Sequence, residues 1–219
     1  MELAVATVIA LLPIINPFST APLFLAITEG DSEEDRKEQA RKGVIYMICI
    51  LVAFLIGGTF IMQAFGLSLP GLRIAGGLLV AGIGMRMLYP KDDSLQTTEE
   101  HLESKRKRDI SFTPLAMPSL AGPGAISITL GLTSLATRWI DFVAIIFGIL
   151  LVAAMVFVTL RLSTKLVGIL GVNGLHAMTK IMGFLILCVG VQFIVNGIVG
   201  VATSPELLNG ILDTLNRVE

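Results

Sequence analysis

The stretch INPFSTAPLF, residues 15–24, gives the strongest indication of how this chain folds. It lies in an apolar run long enough to cross a membrane, yet it contains two prolines and the polar residues Asn16, Ser19 and Thr20. A proline inside a helix removes one backbone donor and frees the carbonyl four residues earlier. Freed backbone groups cannot face lipid, so they require polar neighbours or a polar cavity. The stretch therefore predicts an interrupted membrane helix.

The composition of the whole chain indicates a membrane protein. Of its 219 residues, 54% are hydrophobic and 15% are charged, whereas soluble domains have roughly 45–50% apolar and about 25% charged residues. The acidic residues lie almost entirely in 29–38, 92–109 and the tail after 205. The net charge of −1 gives no indication of nucleic-acid binding. Two cysteines within apolar runs are expected to be small buried side chains.

Six apolar segments reach the length of about 20 residues that a spanning helix needs. They are roughly 3–27, 44–65, 69–89, 112–135, 140–161 and 179–202. The basic residues concentrate in the loops 28–43, 90–111 and 161–180, which alternate along the chain. Because short basic loops stay in the cytoplasm, both termini are expected on the outer, periplasmic side. No cleavable leader is evident, so the first segment is expected to be retained.

An internal repeat divides the chain into two halves. Pro13, Pro17 and Pro22 of the first segment recur with the same spacing in the fourth, as Pro114, Pro118 and Pro123. RIAGGL at 73–78 similarly resembles KIMGFL at 180–185. An odd number of spans per copy forces the second copy to enter from the opposite face, as in many secondary transporters.

The predicted fold is thus an all-α integral membrane protein of six transmembrane helices, arranged as two inverted three-helix repeats with helices 1 and 4 broken. The first repeat is 1–89, a charged cytoplasmic loop is 90–111, the second repeat is 112–202, and an amphipathic C-terminal tail is 203–219. Glycines spaced seven apart in spans 3 and 6 are expected at close helix contacts. They are Gly77, Gly84, Gly183, Gly190 and Gly197.

Paired helix breaks are the best sequence indication of a transport site near the bilayer midplane. The alternative is a pair of proline kinks packed among helices. Arg73 could face the bundle or extend outward to the interface. Gln192 and Asn196, a polar pair on one face of span 6, could join helices or line a cavity. The candidate substrate-binding residues are Asn16, Pro17, Ser19, Thr20, Pro118, Ser119, Gly122, Gly124, Arg73, Gln192 and Asn196.

Several chemistries find no support in the sequence. No Asp or Glu lies deep in a span, no phosphate-binding GxxxxGK[ST] loop is present, and no catalytic constellation is visible. The chain is therefore expected not to be an enzyme and to need no cofactor. Transport would be coupled to Na⁺, held by carbonyls and hydroxyls, or to H⁺, while any metal site stays undefined.

Four ordered motifs carry a family resemblance. NPFSTAPLFLA (16–26), PGLRIAGGLLVAGIGMRML (70–88), PLAMPSLAGPGAI (114–126) and MGFLILCVGVQFIVNGI (182–198) resemble the MarC family, or UPF0056, of bacterial inner-membrane proteins. That family includes the SnatA transporters of small neutral amino acids. The resemblance implies a six-span inner-membrane protein that transports an amino acid of the size of glycine or alanine.

Three functions follow as hypotheses. The first is a secondary transporter of small neutral amino acids, with the bilayer and a small solute as its partners and an undefined oligomeric state. The second is an exporter of drugs or other small metabolites, which would favour a cavity lined by aromatic side chains. The third is a non-transporting membrane scaffold, which would favour continuous helices.

Overall fold

The computed structural model describes residues 2–89, 109–133, 135–136 and 138–204, and this part of the chain is helical with no strand. The helices in chain order are α1 (Glu2–Ile15), α2 (Pro17–Ile27), α3 (Glu33–Ala64), α4 (Leu69–Leu88), α5 (Ser111–Leu120), α6 (Pro123–Thr133), α7 (Trp139–Arg161) and α8 (Ser163–Ala202). The predicted all-α class is confirmed. The 90–108 part of the charged loop and the tail from 205 lie outside the described residues.

Within the residues that the structure describes, four stretches are each long and apolar enough to cross a membrane: α3, α4, α7 and the part of α8 from Asn173 to Ala202. Two helix pairs meet the same test together but bend sharply, by 43° between α1 and α2 and by 61° between α5 and α6. The predicted six spans therefore match the structure when each bent pair counts as one span. Both bends lie in the proline-containing segments that the sequence singled out.

Helix α3 extends well beyond its apolar part. Ser32 caps its first turn, accepting a hydrogen bond from the Asp35 backbone N–H at 3.1 Å, and acidic residues occupy that turn, where the helix dipole favours negative charge. Its 32 residues correspond to roughly 48 Å, longer than the hydrocarbon core of about 30 Å. Most of the polar segment 28–43 before span 2 is thus a helical extension of that span.

The buried core runs along the middle of the bundle, where α1, α3 and α7 meet α5 and α6. Among its fully buried side chains are Leu11, Met47, Leu51, Leu55 and Ile149. Close approaches at glycines tighten it: a Cβ at Gly148 of α7 would lie 2.8 Å from the Ala4 carbonyl oxygen of α1. Small residues let helix backbones approach closely. Membrane helices depend on such packing because lipid provides no hydrophobic driving force for their association.

Helices α4 and α8 pack antiparallel along a line of glycines. A Cβ at Gly77 would lie 2.6 Å from the Gly190 carbonyl oxygen, and one at Gly84 would lie 2.7 Å from the Gly183 carbonyl oxygen. A Cβ at Gly197 would likewise lie 2.8 Å from the backbone oxygen of Pro70. The prediction that the seven-spaced glycines are close-packing positions is confirmed.

Two expectations from the sequence are wrong. Segment 161–180 is not a loop: α8 begins at Ser163, turns at Gly171 (φ 62°, ψ 176°) and continues as a helix to Ala202. The sequence STKLVGIL is apolar enough to form a helical turn of its own before the glycine. Cys49 and Cys188 are exposed rather than buried, because each lies on an outward-facing side of its helix.

Candidate functional site

The first break is a single residue. Asn16 adopts a left-handed conformation (φ 41°, ψ 72°) between α1 and α2, and Pro17 starts α2. Asparagine tolerates this conformation better than most residues. Its side-chain oxygen accepts a weak hydrogen bond from the Ser19 backbone N–H at 3.4 Å, and its side chain is almost fully buried. The predicted interruption is therefore present, but narrower than the 15–24 stretch suggested, since Pro22 lies within α2.

The second break is wider. Thr113 and Met117, the residues before Pro114 and Pro118, both leave the helical conformation (φ −128°, ψ 122°), as expected for positions that precede proline. The chain then turns between α5 and α6 at residues 121–122. A Cβ at Gly122 would lie 2.4 Å from the Pro118 carbonyl oxygen, so this turn has no room for a side chain.

The proline register of the repeat holds at one position in both halves. Asn16 and Met117 occupy equivalent places before the second proline, and both depart from helical geometry. The sequence predicted this pairing of breaks from proline spacing alone. The inverted arrangement of the two halves stays a prediction.

The two breaks meet on one face of α4. The Asn16 side-chain N–H₂ donates to the Met87 sulfur at 3.9 Å, and a Cβ at Gly124 would lie 3.0 Å from Ile83 Cδ1 and 3.2 Å from Ile14 Cγ2. Positions 83 and 87 are one turn apart on the same side of a helix. The start of α6 therefore lies next to the end of α1, and α4 touches both breaks.

Hydroxyl groups at both breaks hydrogen-bond to backbone carbonyls, and at the second break the carbonyl is one that a proline frees. Ser119 Oγ donates to the Pro114 carbonyl at 2.9 Å, and Pro118 is the residue that deprives this carbonyl of its usual partner. Thr20 Oγ1 donates to the Asn16 carbonyl at 3.2 Å. Asn16 is less well served, because a thioether sulfur is a weak acceptor for its N–H₂ group.

Three candidates lie away from the breaks or are only partly enclosed. Gln192 Nε2 donates to Asn196 Oδ1 at 2.9 Å, and both side chains are exposed. Gly190 lies on the packed face of α8, and position 192 lies about 200° around the helix from it. The structure thus places this polar pair on the outer face, not toward the bundle interior as expected. Arg73 is half-buried near the start of α4.

Sequence reasoning missed the contribution of α4 to this region. Val80 and Ile83 of α4 are the neighbours of Gly124, and Met87 is the neighbour of Asn16. It also missed Ser127 of α6, whose Cβ lies 3.0 Å from a Cβ built at Gly76. Helical spacing within α4 could have indicated one shared face, but only tertiary packing shows which breaks that face meets.

A polar cluster fastens the start of α5 to α3. Asp109 accepts hydrogen bonds from the Ser111 hydroxyl and from its backbone N–H, the latter at 2.9 Å, and Lys42 lies 3.7 Å from its carboxylate. The Ser111 hydrogen bonds, and less strongly the Lys42 charge, lower the pKa of Asp109. The Ile110 backbone N–H donates to Gln39 Oε1 at 3.3 Å. In the part of the chain with described coordinates, no three His, Cys, Asp or Glu side chains group together as metal ligands would.

The sequence is similar to proteins of a known family. The sequence model described as MarC family integral membrane protein matches residues 1–202. The chain is 39% identical over 201 residues to the UPF0056 inner membrane protein MarC of Escherichia coli (strain K12), covering 87% of this chain and 91% of that protein. The protein of the same name from Shigella flexneri matches with the same identity and coverage. No solved structure is significantly similar. The chain is a multi-pass inner-membrane protein, and it belongs to the MarC family.

Proposed function

We propose that this protein is a secondary transporter of small neutral amino acids, with its binding site where the α1–α2 and α5–α6 breaks meet. The observation that carries the proposal is the contact of both breaks with one face of α4, through Met87 and Ile83. Backbone that departs from a helix at membrane depth is tolerated where it is packed against protein or lines a polar cavity. Paired breaks of this kind form the substrate sites of many secondary transporters.

The start of α6 is suited to the carboxylate of the substrate. The Ile126 N–H donates to the Gly122 carbonyl at 3.1 Å, so Gly124 and Ala125 provide backbone N–H groups ahead of that first turn. Amides at a helix N-terminus lack intrahelical partners, and the helix dipole favours an anion there. The buried Asn16 side chain at the other break supplies a further N–H donor, which in this structure bonds to the Met87 sulfur.

The neighbours of the second break favour a small substrate. Gly124 is buried and is surrounded by the aliphatic side chains Ile14, Val80 and Ile83. An exporter of bulky amphipathic compounds would favour an aromatic lining at this point. A non-transporting scaffold would favour continuous helices, whereas the two segments bend by 43° and 61°. These observations support transport of a solute no larger than glycine or alanine over both alternatives.

Reconstitution tests the proposal directly. Purified protein in liposomes is expected to move labelled glycine and alanine, faster when a Na⁺ or H⁺ gradient is imposed. Asn16→Gly keeps the left-handed conformation accessible and removes only the side-chain amide, so we expect it to abolish most of the flux without unfolding the protein. Ser32→Ala, at the exposed start of α3, serves as the control and should retain wild-type flux.

A second variant tests the location of the site. Gly124→Ala adds a methyl group against the flexible ends of Ile83 and Ile14, which can move aside, so the fold should persist. If the substrate binds there, alanine flux should fall relative to glycine flux by roughly ten-fold, the low end of the effect of one methylene in a pocket. Equal loss for both substrates, or flux no greater than in empty liposomes for the wild type, would remove the proposal.

A further inference from the structure

A groove at one end of the bundle combines an apolar floor with basic side chains at its mouth. It has a volume of about 740 Å³ and lies between the end of α2, the start of α3, the end of α7 and the start of α8. Phe157, Val158 and Leu162 contribute accessible apolar lining, whereas Phe24 and Leu160 at the same groove are fully buried. This size falls within the range of roughly 300–1,000 Å³ that small-molecule sites occupy.

Basic side chains dominate the charge of this groove. Arg36, Lys37, Arg161 and Lys165 line it, against the two carboxylates of Glu33 and Glu34 on the first turn of α3. Among the described residues, none of the four basic side chains takes part in an ion pair within 4.0 Å. Within the described part of the chain, the groove therefore carries an excess of positive charge that no ion pair neutralises.

Arg36 shows this lack of neutralisation most clearly. Its Nη1 donates to Thr164 Oγ1 at 3.5 Å and its Nη2 donates to the Thr28 carbonyl at 3.3 Å, so both acceptors are uncharged. Its Nε is buried and has no hydrogen-bond partner in the described part of the chain. The two bonds tie α2 and α8 to α3, while the guanidinium charge is left for an anion, with which its hydrogen bonds would be stronger.

We propose that the groove binds an anionic phospholipid, with the phosphate at Arg36, Arg161 and Lys165 and part of an acyl chain against Phe157 and Val158. The groove lies at the ends of four helices, the level at which headgroups meet a membrane protein. Basic pockets between transmembrane helices recognise anionic headgroups in this way. The apolar floor distinguishes a lipid from a free phosphate ester, which would leave that surface unfilled. This site is separate from the two breaks and does not depend on transport.

Native mass spectrometry of the detergent-purified protein tests the assignment. The wild type is titrated with phosphatidylglycerol, with phosphatidylethanolamine and phosphatidylcholine of the same acyl chains, and with inorganic phosphate. We expect phosphatidylglycerol to bind most tightly. Arg161→Gln with Lys165→Gln should weaken its binding by roughly thirty-fold, since each basic side chain near a charged membrane surface contributes about 1 kcal/mol.

A matched control removes the same charge elsewhere. Arg41→Gln with Arg86→Gln alters two exposed arginines outside the groove and should leave phosphatidylglycerol binding unchanged. Equal weakening in the two double variants would overturn the proposal, as would equal binding of the zwitterionic lipids by the wild type. If inorganic phosphate competes for the groove as effectively as phosphatidylglycerol does, the groove would be assigned to a free phosphate. That result would also overturn the proposal. The comparison of lipids on the wild-type protein tests the proposal even if a variant fails to fold.

Discussion

Adding one methyl group at Gly190 should force α4 and α8 apart. A Cβ built at this position lies 2.4 Å from the Ala81 backbone nitrogen, 2.8 Å from Ala81 Cα and 2.8 Å from the Gly77 carbonyl oxygen. All three neighbours are backbone atoms, so no side chain can rotate out of the way. Gly190→Ala can be accommodated only by movement of one whole helix relative to the other.

The size of the effect follows from these distances. Ordinary van der Waals contact begins near 3.4 Å, so the helices must separate by about 1 Å at this level, a gap that forfeits up to roughly half of each contact's attraction. Overpacking of a tight interface typically costs about 1–3 kcal/mol. We expect Gly190→Ala to lower the unfolding free energy by that amount.

Thermal unfolding in mild detergent, followed by circular dichroism, provides the measurement. Gly82→Ala is the matched control, because Gly82 lies on α4 and a Cβ there would meet nothing within 4 Å. It should be neutral or slightly stabilising, since alanine is the better helix former. If Gly190→Ala unfolds at the same temperature as Gly82→Ala, the close approach of α4 and α8 is refuted.

Three further outcomes are expected. Ser119→Ala should cost about 0.5–1.5 kcal/mol of stability, measured by chemical unfolding, because the Pro114 carbonyl loses the hydroxyl that satisfies it; no change would mean that this carbonyl finds another donor. Gly171→Ala should cost about 1–3 kcal/mol, because its backbone conformation is nearly restricted to glycine, whereas Gly168→Ala, in open space, should not; equal stability of the two would contradict the turn. For Asp109, whose pKa is lowered in the folded state, the stabilisation is complete above the ordinary carboxyl pKa of about 3.9 and is lost as pH falls through the folded-state pKa. Wild type should therefore unfold less readily than Asp109→Asn at neutral pH and lose that advantage in acid, and a difference that does not vary with pH would refute this.

Most of the structure that could be predicted from the sequence was indicated by the positions of its prolines and glycines. A proline constrains its own turn and the residue before it wherever it occurs, so Pro17 and Pro118 indicated the breaks at Asn16 and Met117 without any knowledge of their neighbours. The seven-residue spacing of glycines similarly indicated a close helix contact. Segment 161–180 was harder to predict, because its basic residues suggested a loop whereas its apolar residues form a helix that turns at Gly171.

The sequence by itself determined the helical membrane class and the positions of both breaks, because hydrophobic length and proline geometry act locally along the chain. Only the tertiary structure decided that the breaks meet across Ile83 and Met87, and that Gln192 and Asn196 face outward. It also brought the basic residues of α3, α7 and α8 into one groove. These arrangements depend on which helix faces approach each other, and that choice is made by packing between segments far apart in the chain.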